Sequence, residues 1–478
     1  MSDTHVMSAR ERINSLVDAN SFVEIGALVT KRSTDFNMQE KAVPADGVIT
    51  GYGTVDSQLI YVYSQDVTAM SGSIGEMHAK KIVGIYNMAM KVGAPVIGLI
   101  DCAGLRLQEA VDALAGFGDL YYSQGKASGI VPQISAIFGS CGGGVAISSV
   151  LSDFTFIENN HGKIFVNSPN ILEGAESDTA QADFQAAAGN VDFVCEGEEE
   201  IMNNIRELIS ILPSHNESDA YSDENDDDMN RLIPDFENIK ADPTAALSSI
   251  ADGNVFIETK ADFAKDIVTG YLTLNGVTVG AIANRTAEFD ENGKTKEKYE
   301  GVLTADGCYK AECLVKFCDA FGIPIITLTN VIGYASTVEE EKRIARASAK
   351  LLHAFVDADT PKINVIVGNA FGSAYIIMNS KHIGADFVFA LESAKVGMMK
   401  ADVACIIMEH DEVLKSNEAL AEKKKEYEEI QNNVEAAARR GYVDSVIPAD
   451  AIRKHLIYSV DMLYSKLETG LPKKHGTV

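Results

Sequence analysis

The sequence has no basic run, no long apolar stretch and no C-x-x-C pair, and each absence closes a class of function. Among 478 residues, 41 Lys and Arg stand against 69 Asp and Glu, a formal net charge of −28. No basic stretch is there to neutralise a phosphate backbone, so nucleic acid is excluded and any anionic ligand must be met locally. No stretch approaches 18 apolar residues, so no membrane-spanning helix is expected. The opening Met1-Ser-Asp-Thr-His-Val lacks the basic and apolar regions of a signal peptide, and a cytoplasmic location is the expectation. Seven cysteines are scattered, with Cys308, Cys313 and Cys318 recurring in a helical pattern rather than at zinc-ligand spacing. That usage fits reduced thiols and predicts no structural metal.

What is present is an ordinary globular balance, 23% charged and 46% hydrophobic. One stretch organises the rest: Ile134-Ser-Ala-Ile-Phe-Gly-Ser-Cys-Gly-Gly-Gly-Val-Ala-Ile-Ser148. An apolar run, a glycine cluster and a return to small apolar residues read as a buried strand, a tight turn and a helix start. Gly142, Gly143 and Gly144 lack Cβ atoms, so their N–H groups can approach a ligand closely. Unpaired N–H groups at a helix start suit an oxygen that becomes negative during reaction. A lone triplet is explained more simply as a packing turn.

A second copy shifts that balance. Lys362-Ile-Asn-Val-Ile-Val-Gly-Asn-Ala-Phe-Gly-Ser-Ala-Tyr-Ile-Ile-Met378 has the same shape. Pro95 and Pro324, Gly104 and Gly333, Pro132 and Pro361, Gly139 and Gly368 all stand 229 apart, and Asp153 and Asp386 stand 233 apart. The chain is an internal duplication of two similar domains, with boundaries expected at 1–235 and 236–478.

In chain order, residues 8–24 predict a capped amphipathic helix with Ile13, Leu16 and Val17 on one side. The stretches 47–55 and 59–64 predict a β-hairpin. A glycine loop at 71–75 runs into a helix, and strands at 95–101 and 132–138 bracket a helical stretch near 108–124. Residues 217–228 carry seven acids in twelve positions and read as a solvated linker. The second half repeats the plan with strands at 268–274, 277–283, 324–329 and 363–367 and a helix at 307–321. A charged helix is expected at about 411–440. Alternating strands and helices imply right-handed β-α-β crossovers and an α/β class.

The chain resembles the carboxyltransferase subunits of biotin-dependent acyl-CoA carboxylases and decarboxylases, of the propionyl-CoA carboxylase β and methylmalonyl-CoA decarboxylase α type. The resemblance runs nearly end to end. It rests on Ala9-Arg-Glu-Arg-Ile, Pro44-Ala-Asp-Gly-Val, Gly75-Glu-Met-His-Ala-Lys-Lys-Ile82, Val131-Pro-Gln-Ile-Ser, Lys316-Phe-Cys-Asp-Ala-Phe, Ser380-Lys-His-Ile-Gly-Ala-Asp and Gly441-Tyr-Val-Asp. It implies a tandem pair of crotonase-like (ClpP/crotonase) spiral β-β-α domains, the first on the acyl-CoA side and the second on the biotin side. Gly143 and Gly144 would form the oxyanion hole for the thioester carbonyl, and Gly142 beside them would contact substrate. Gly372, Ser373 and Ala374 would hold the ureido oxygen of biotin. In the implied chemistry carboxybiotin releases carbon dioxide, the biotin nitrogen takes the α-proton, and the enolate attacks the carbon dioxide. Ser71, Gly72, Gly75, Lys80, Lys81, Ala103, Gly104 and Arg106 would bind CoA, although both lysines read equally well as surface charges. His78 fits loop–helix packing.

The resemblance also implies partners: a separate biotin carboxyl carrier protein, and either a biotin carboxylase or membrane decarboxylase subunits. It further implies a homo-oligomer, a hexamer built as a trimer of dimers, with the site shared between subunits. Ala89-Met-Lys-Val resembles a biotin attachment motif, but helical spacing makes Lys91 a helix-surface residue. Three departures touch the expected pockets: Ala188-Gly-Asn-Val-Asp192 in place of a stretch ending in histidine, the loop Ile332-Gly-Tyr-Ala-Ser-Thr-Val-Glu-Glu-Glu-Lys342, and Ile376 in place of an aspartate. Two alternatives therefore stand beside the enzyme reading. One is a non-catalytic structural paralogue; the other is a crotonase-fold serine peptidase using Ser373 and His382.

Overall fold

The computed structural model describes residues 6–174, 178–219, 227–290, 292–408, 417–468 and 475–478. The chain divides into two compact units, Met1–Asp219 and Ala220–Val478. In the first, the helix Ala9–Leu16 opens on a reciprocal capping box between Ser8 and Glu11 and buries Ile13 and Leu16. It stops well short of residue 24. The cause is Asp18, whose carboxylate accepts from the Thr54 hydroxyl and from the N–H groups of Asp56 and Ser57, drawing the chain onto the following hairpin.

The first unit holds the strands β1 (Val23–Ile25), β2 (Val48–Val55), β3 (Gln58–Gln65), β4 (Val96–Cys102), β5 (Gln133–Gly142), β6 (Phe154–Glu158), β7 (Lys163–Phe165) and β8 (Phe193–Cys195). They form one sheet in the order β1-β2-β3-β4-β5-β6-β8, with β7 beside the end of β5. The first three pair antiparallel and the rest parallel. Parallel neighbours need long crossovers, and the helices Glu76–Val92 and Ala110–Ala127 supply them. Ile82, Ile85 and Leu120 from those helices are buried against Val96 and Ile137 of the sheet.

The second unit holds β9 (Phe256–Thr259), β10 (Ile267–Leu274), β11 (Val277–Asn284), β12 (Ala287–Phe289), β13 (Thr295–Lys298), β14 (Val302–Leu303), β15 (Ile325–Val331), β16 (Gly333–Tyr334), β17 (Lys362–Phe371), β18 (Phe387–Leu391), β19 (Lys395–Gly397) and β20 (Ser445–Ile447). Its main sheet runs β9-β10-β11-β15-β17-β18-β20, with β19 beside β17. Strand for strand this is the order of the first unit. Register repeats as well: Ile97 faces Ile134 and Ile326 faces Ile363, and both ladders slip at the same place, after Ile100 and after Thr329. The duplication read from residue spacing is therefore a duplication of topology.

Buried polar groups were copied with it. Asp153 accepts from the Gln133 N–H and Asp386 from the Lys362 N–H, both at 2.8 Å. Asp192 accepts from the Thr155 N–H at 2.9 Å as Asp444 does from the Val388 N–H at 2.8 Å. Asp192 is thus a backbone partner in a Gly-x-Val-Asp segment present in both halves.

The unit junction falls ahead of the expected 235/236. Arg231 donates to the carbonyls of Ser249 and Ala251, and Arg453 pairs with Asp227 and Asp252, which fastens residues 227–235 to the second unit. Most of the acidic run, residues 220–226, lies outside the described residues. So does the start of the expected charged helix; its remainder is two helices, Asn417–Gln431 and Val434–Arg439, the second capped by Asn433. No helix among the described residues is long and apolar enough to cross a membrane.

Candidate active site

The first turn begins where β5 leaves the sheet. Gly143 has φ +64° and ψ −127°, a conformation that a side chain disfavours, and the helix Gly144–Val150 follows at once. Its neighbours are glycine for packing reasons. A Cβ on Gly142 would lie 2.9 Å from the Phe165 ring, and one on Gly144 would lie 2.7 Å from the Tyr121 hydroxyl. That hydroxyl donates to the Gly144 carbonyl at 2.7 Å.

One expected role changes. The Gly143 N–H donates to the Phe165 carbonyl at 2.8 Å, so Gly143 shapes the turn while its donor is already engaged. The N–H of Gly144, first in its helix, belongs to the group that has no intrahelical acceptor.

The turn at 102–104 lies against this one, since a Cβ on Gly104 would stand 3.4 Å from the Gly142 carbonyl. The loop at 71–75 is stitched to it by three backbone bonds: Ala103 N–H to Ser71 O, Ile74 N–H to Gly104 O, and Arg106 N–H to Ile74 O. Gly72 is held so close to Asp101 that a Cβ would be 2.1 Å from its carbonyl oxygen. The structure thus gathers Ser71, Gly72, Ala103, Gly104 and Gly142–Gly144 in one place.

Arg106 does something other than bind CoA. It is 1% exposed. Its guanidinium contacts the carboxylates of Asp46 and Glu109 and donates to the carbonyls of Asp46 and Ser73. Glu109 accepts in turn from the Glu76 N–H, and Asp46 from the His78 N–H, both at 2.7 Å. A Cβ on Gly75 would strike this cluster at 2.5 Å. Burial pushes the Asp46 carboxyl up despite Arg106. Burial, helped by Arg106, pushes His78 down to about 3, so the imidazole is neutral and serves packing. Arg106 is the hub that holds the turn at 44–47 and the loop at 71–75.

Of the two adjacent lysines, Lys80 is exposed and pairs with Glu76 at 2.6 Å. Lys81 is not a surface charge: it is 8% exposed and donates to the carbonyls of Ala45 and Val48. Lys310, its equivalent in the second half, donates likewise to Lys260 O and Phe263 O at 2.8 Å. Burial brings the first down to about 8 and the second to about 7. Lys91 sits exposed in the last turn of its helix.

The second turn copies the first. Gly372 has φ +63° at the end of β17, and the helix Gly372–Ile377 follows. Ser373 is exposed, Ala374 fully buried and Ile376 half-buried. The Ser373 hydroxyl lies 3.2 Å from that of Tyr334. The His382 ring packs 4.7 Å from Tyr442 and edge-on at 6.3 Å to Tyr375, so the peptidase reading lacks its serine–histidine bond. Sequence reasoning missed Tyr334, although the offset between the halves pairs it with Leu105 beside the first turn. Among the described residues no group of three or more His, Cys, Asp or Glu could hold a metal ion.

Comparison with known proteins fits this geometry. The carboxyl transferase domain matches residues 6–478. The chain is 37% identical to the methylmalonyl-CoA decarboxylase α subunit of Veillonella parvula, over 99% of this chain and 93% of that one. Identity is also 37%, with the same coverage, to the propionyl-CoA carboxylase β chain of Roseobacter denitrificans. Among solved structures, transcarboxylase 12S, described as a hexamer with hydrolysed methylmalonyl-CoA bound, superposes with a TM-score of 0.92 at 33% identity, covering 98% of this chain and 92% of that one. The crotonase-type architecture of the two units is that of this relative.

Proposed function

Because the chain belongs to the carboxyl transferase family, we propose that it moves a carboxyl group between biotin, borne on a separate carrier protein, and a short-chain acyl-CoA of the propionyl/methylmalonyl type. The observation that carries this reading is the doubled turn: two central strands at the same place in two like sheets, each ending in a positive-φ glycine and a helix start. Transfer develops negative charge on two oxygens, the thioester oxygen as it becomes an enolate and the ureido oxygen. Each needs fixed N–H donors, which is a physical reason to have two such turns.

Biotin supplies the carried carboxyl group and a nitrogen to take the α-proton. This chain supplies the rest. The Gly144 N–H faces the thioester oxygen, Gly142 and Gly143 hold the turn open, and Ser71, Gly72, Ala103 and Gly104 line the approach of CoA. Lys80, exposed and only ion-paired to Glu76, meets a CoA phosphate. Gly75 contributes by leaving room for Arg106. The N–H groups of Ser373 and Ala374 face the ureido oxygen, and the exposed, hydroxyl-rich surroundings of Gly372 fit a polar ring. Ile376 presents an apolar wall to the acyl tail.

We place the protein in the cytoplasm as a homo-oligomer of six copies, a trimer of dimers, working with a carrier and either a biotin carboxylase or membrane decarboxylase subunits. Ile147 and Val150 on the helix after the first turn and Leu151 at its end, with Val166 and Phe184, line a cavity of about 630 Å³ and, with Ile171, leave an exposed apolar face. Such a face suits burial against another copy. The test is carboxyl transfer from methylmalonyl-CoA to free biotin by the purified chain, followed as loss of the CoA ester and gain of carboxylated biotin. Turnover that depends on both substrates supports the reading. A folded hexamer with no transfer from methylmalonyl- or malonyl-CoA points to the structural paralogue instead.

A further inference from the structure

The two halves differ at a pair of equivalent positions beside their turns. In the first half these are Leu105 and Gly144; at the same offset in the second they are Tyr334 and Ser373. The backbone around them is the same. Leu105 bridges to Ile74 in parallel register, and Tyr334 pairs in the same way with Leu303, the equivalent of Ile74. The first turn therefore offers only backbone donors from these positions, and its nearby hydroxyl, Tyr121, is engaged with the Gly144 carbonyl. The second adds two hydroxyls 3.2 Å apart, one of them on an exposed serine.

This difference has a chemical sense. A thioester presents an oxygen that only accepts. A ureido ring presents a carbonyl acceptor next to an N–H donor, and hydroxyls answer both because each donates and accepts. A Tyr–Ser chain is also polarised along its length, which strengthens its outer bond. Burial holds the Tyr334 hydroxyl above its usual range, so it stays a donor at neutral pH.

We propose that Ser373 and Tyr334 form a ureido-recognising hydroxyl pair, in which Ser373 contacts the ring and Tyr334 orients the serine. This rests on the carboxyltransferase reading. The experiment is steady-state transfer from methylmalonyl-CoA to free biotin by wild type, Tyr334→Phe, Ser373→Gly and the double variant, with sedimentation of each. Ser373→Gly restores the residue of the first turn. Each single variant should raise the KM for biotin about fivefold to tenfold, the worth of one hydrogen bond, and leave the KM for methylmalonyl-CoA within about twofold. The double variant should lose little more than the worse single, since the two act as a unit. If the KM for biotin stays put in Tyr334→Phe, or both KM values rise together, the pair has no recognition role. Should Ser373→Gly fail to assemble, Tyr334→Phe alone decides. A wild-type enzyme that transfers nothing overturns the underlying reading and this inference with it, whereas an active wild type with unmoved biotin KM in the variants overturns the pair alone.

Discussion

At the scale of single residues, the buried lysines carry the sharpest test. Lys81 and Lys310 each satisfy two backbone carbonyls from a buried position, whereas Lys80 lies on the surface. Lys81→Met and Lys310→Met should each cost about 1–3 kcal/mol in denaturant unfolding, because buried acceptors are left unpaired. Lys80→Met should stay within about 0.5 kcal/mol. Lys310 also predicts a pH effect. Its folded-state value is about 7 against an ordinary 10.5, so between those limits the unfolded chain holds a proton that the folded chain does not. Stability contributed by this site therefore rises with pH from about 7 toward 10 and is flat below. Lys310→Met should flatten the unfolding midpoints most between about pH 7 and 8, below the range in which Lys81, held at about 8, adds a slope of its own. Ile376 is tested by activity. One methylene against an apolar wall changes binding by about 1–3 kcal/mol, so acetyl-, propionyl- and butyryl-CoA should differ by no more than a few hundred-fold. Ile376→Asp should redistribute kcat/KM among them with sedimentation unchanged, and untouched ratios would reduce Ile376 to helix packing.

At the scale of elements, the loops at 44–47 and 71–75 are held by one arginine, and of the positive-φ alanines beside it Ala110 lies furthest from the left-handed helical region. Arg106 joins the turn at 44–47, the loop at 71–75 and the start of the helix Ala110–Ala127 through Asp46, Ser73 and Glu109. Removing one member of a buried ion pair leaves the others uncompensated, and Arg106→Met should destabilise the first unit by about 3–5 kcal/mol. The strain sits next to Glu109, where Ala110 carries φ +45° and ψ −117°, a region glycine prefers. Such backbone costs about 1–3 kcal/mol, so Ala110→Gly should raise the melting temperature by a few degrees. A lower melting temperature would mean that the methyl group packs usefully.

At the scale of the whole molecule, one plan is present twice, and the proposed function gives each copy one oxygen to hold. The predicted assembly is six chains of 51.4 kDa, a species of about 310 kDa in sedimentation. A monomer at micromolar concentration would sink the shared-site assembly while leaving the fold untouched.

Much of this plan was legible in the sequence because its signals are local. Glycine and proline mark turns wherever they fall, apolar runs mark buried strands, and a constant offset between matching landmarks betrays a copied plan before any contact is known. The strands near 134 and 363, the capping box at Ser8 and the glycine turns at 143 and 372 all came from such signals. Charged residues carry no such mark. Arg106 reads as a CoA ligand, and Lys81 as a CoA ligand or a surface charge, because a lysine or arginine beside a glycine loop has the same local text whether it faces solvent or core. Only the fold brings Asp46 to Arg106 and Tyr334 to Ser373, pairs far apart along the chain. Burial and pairing are properties of what approaches through space, and that the tertiary structure alone decides.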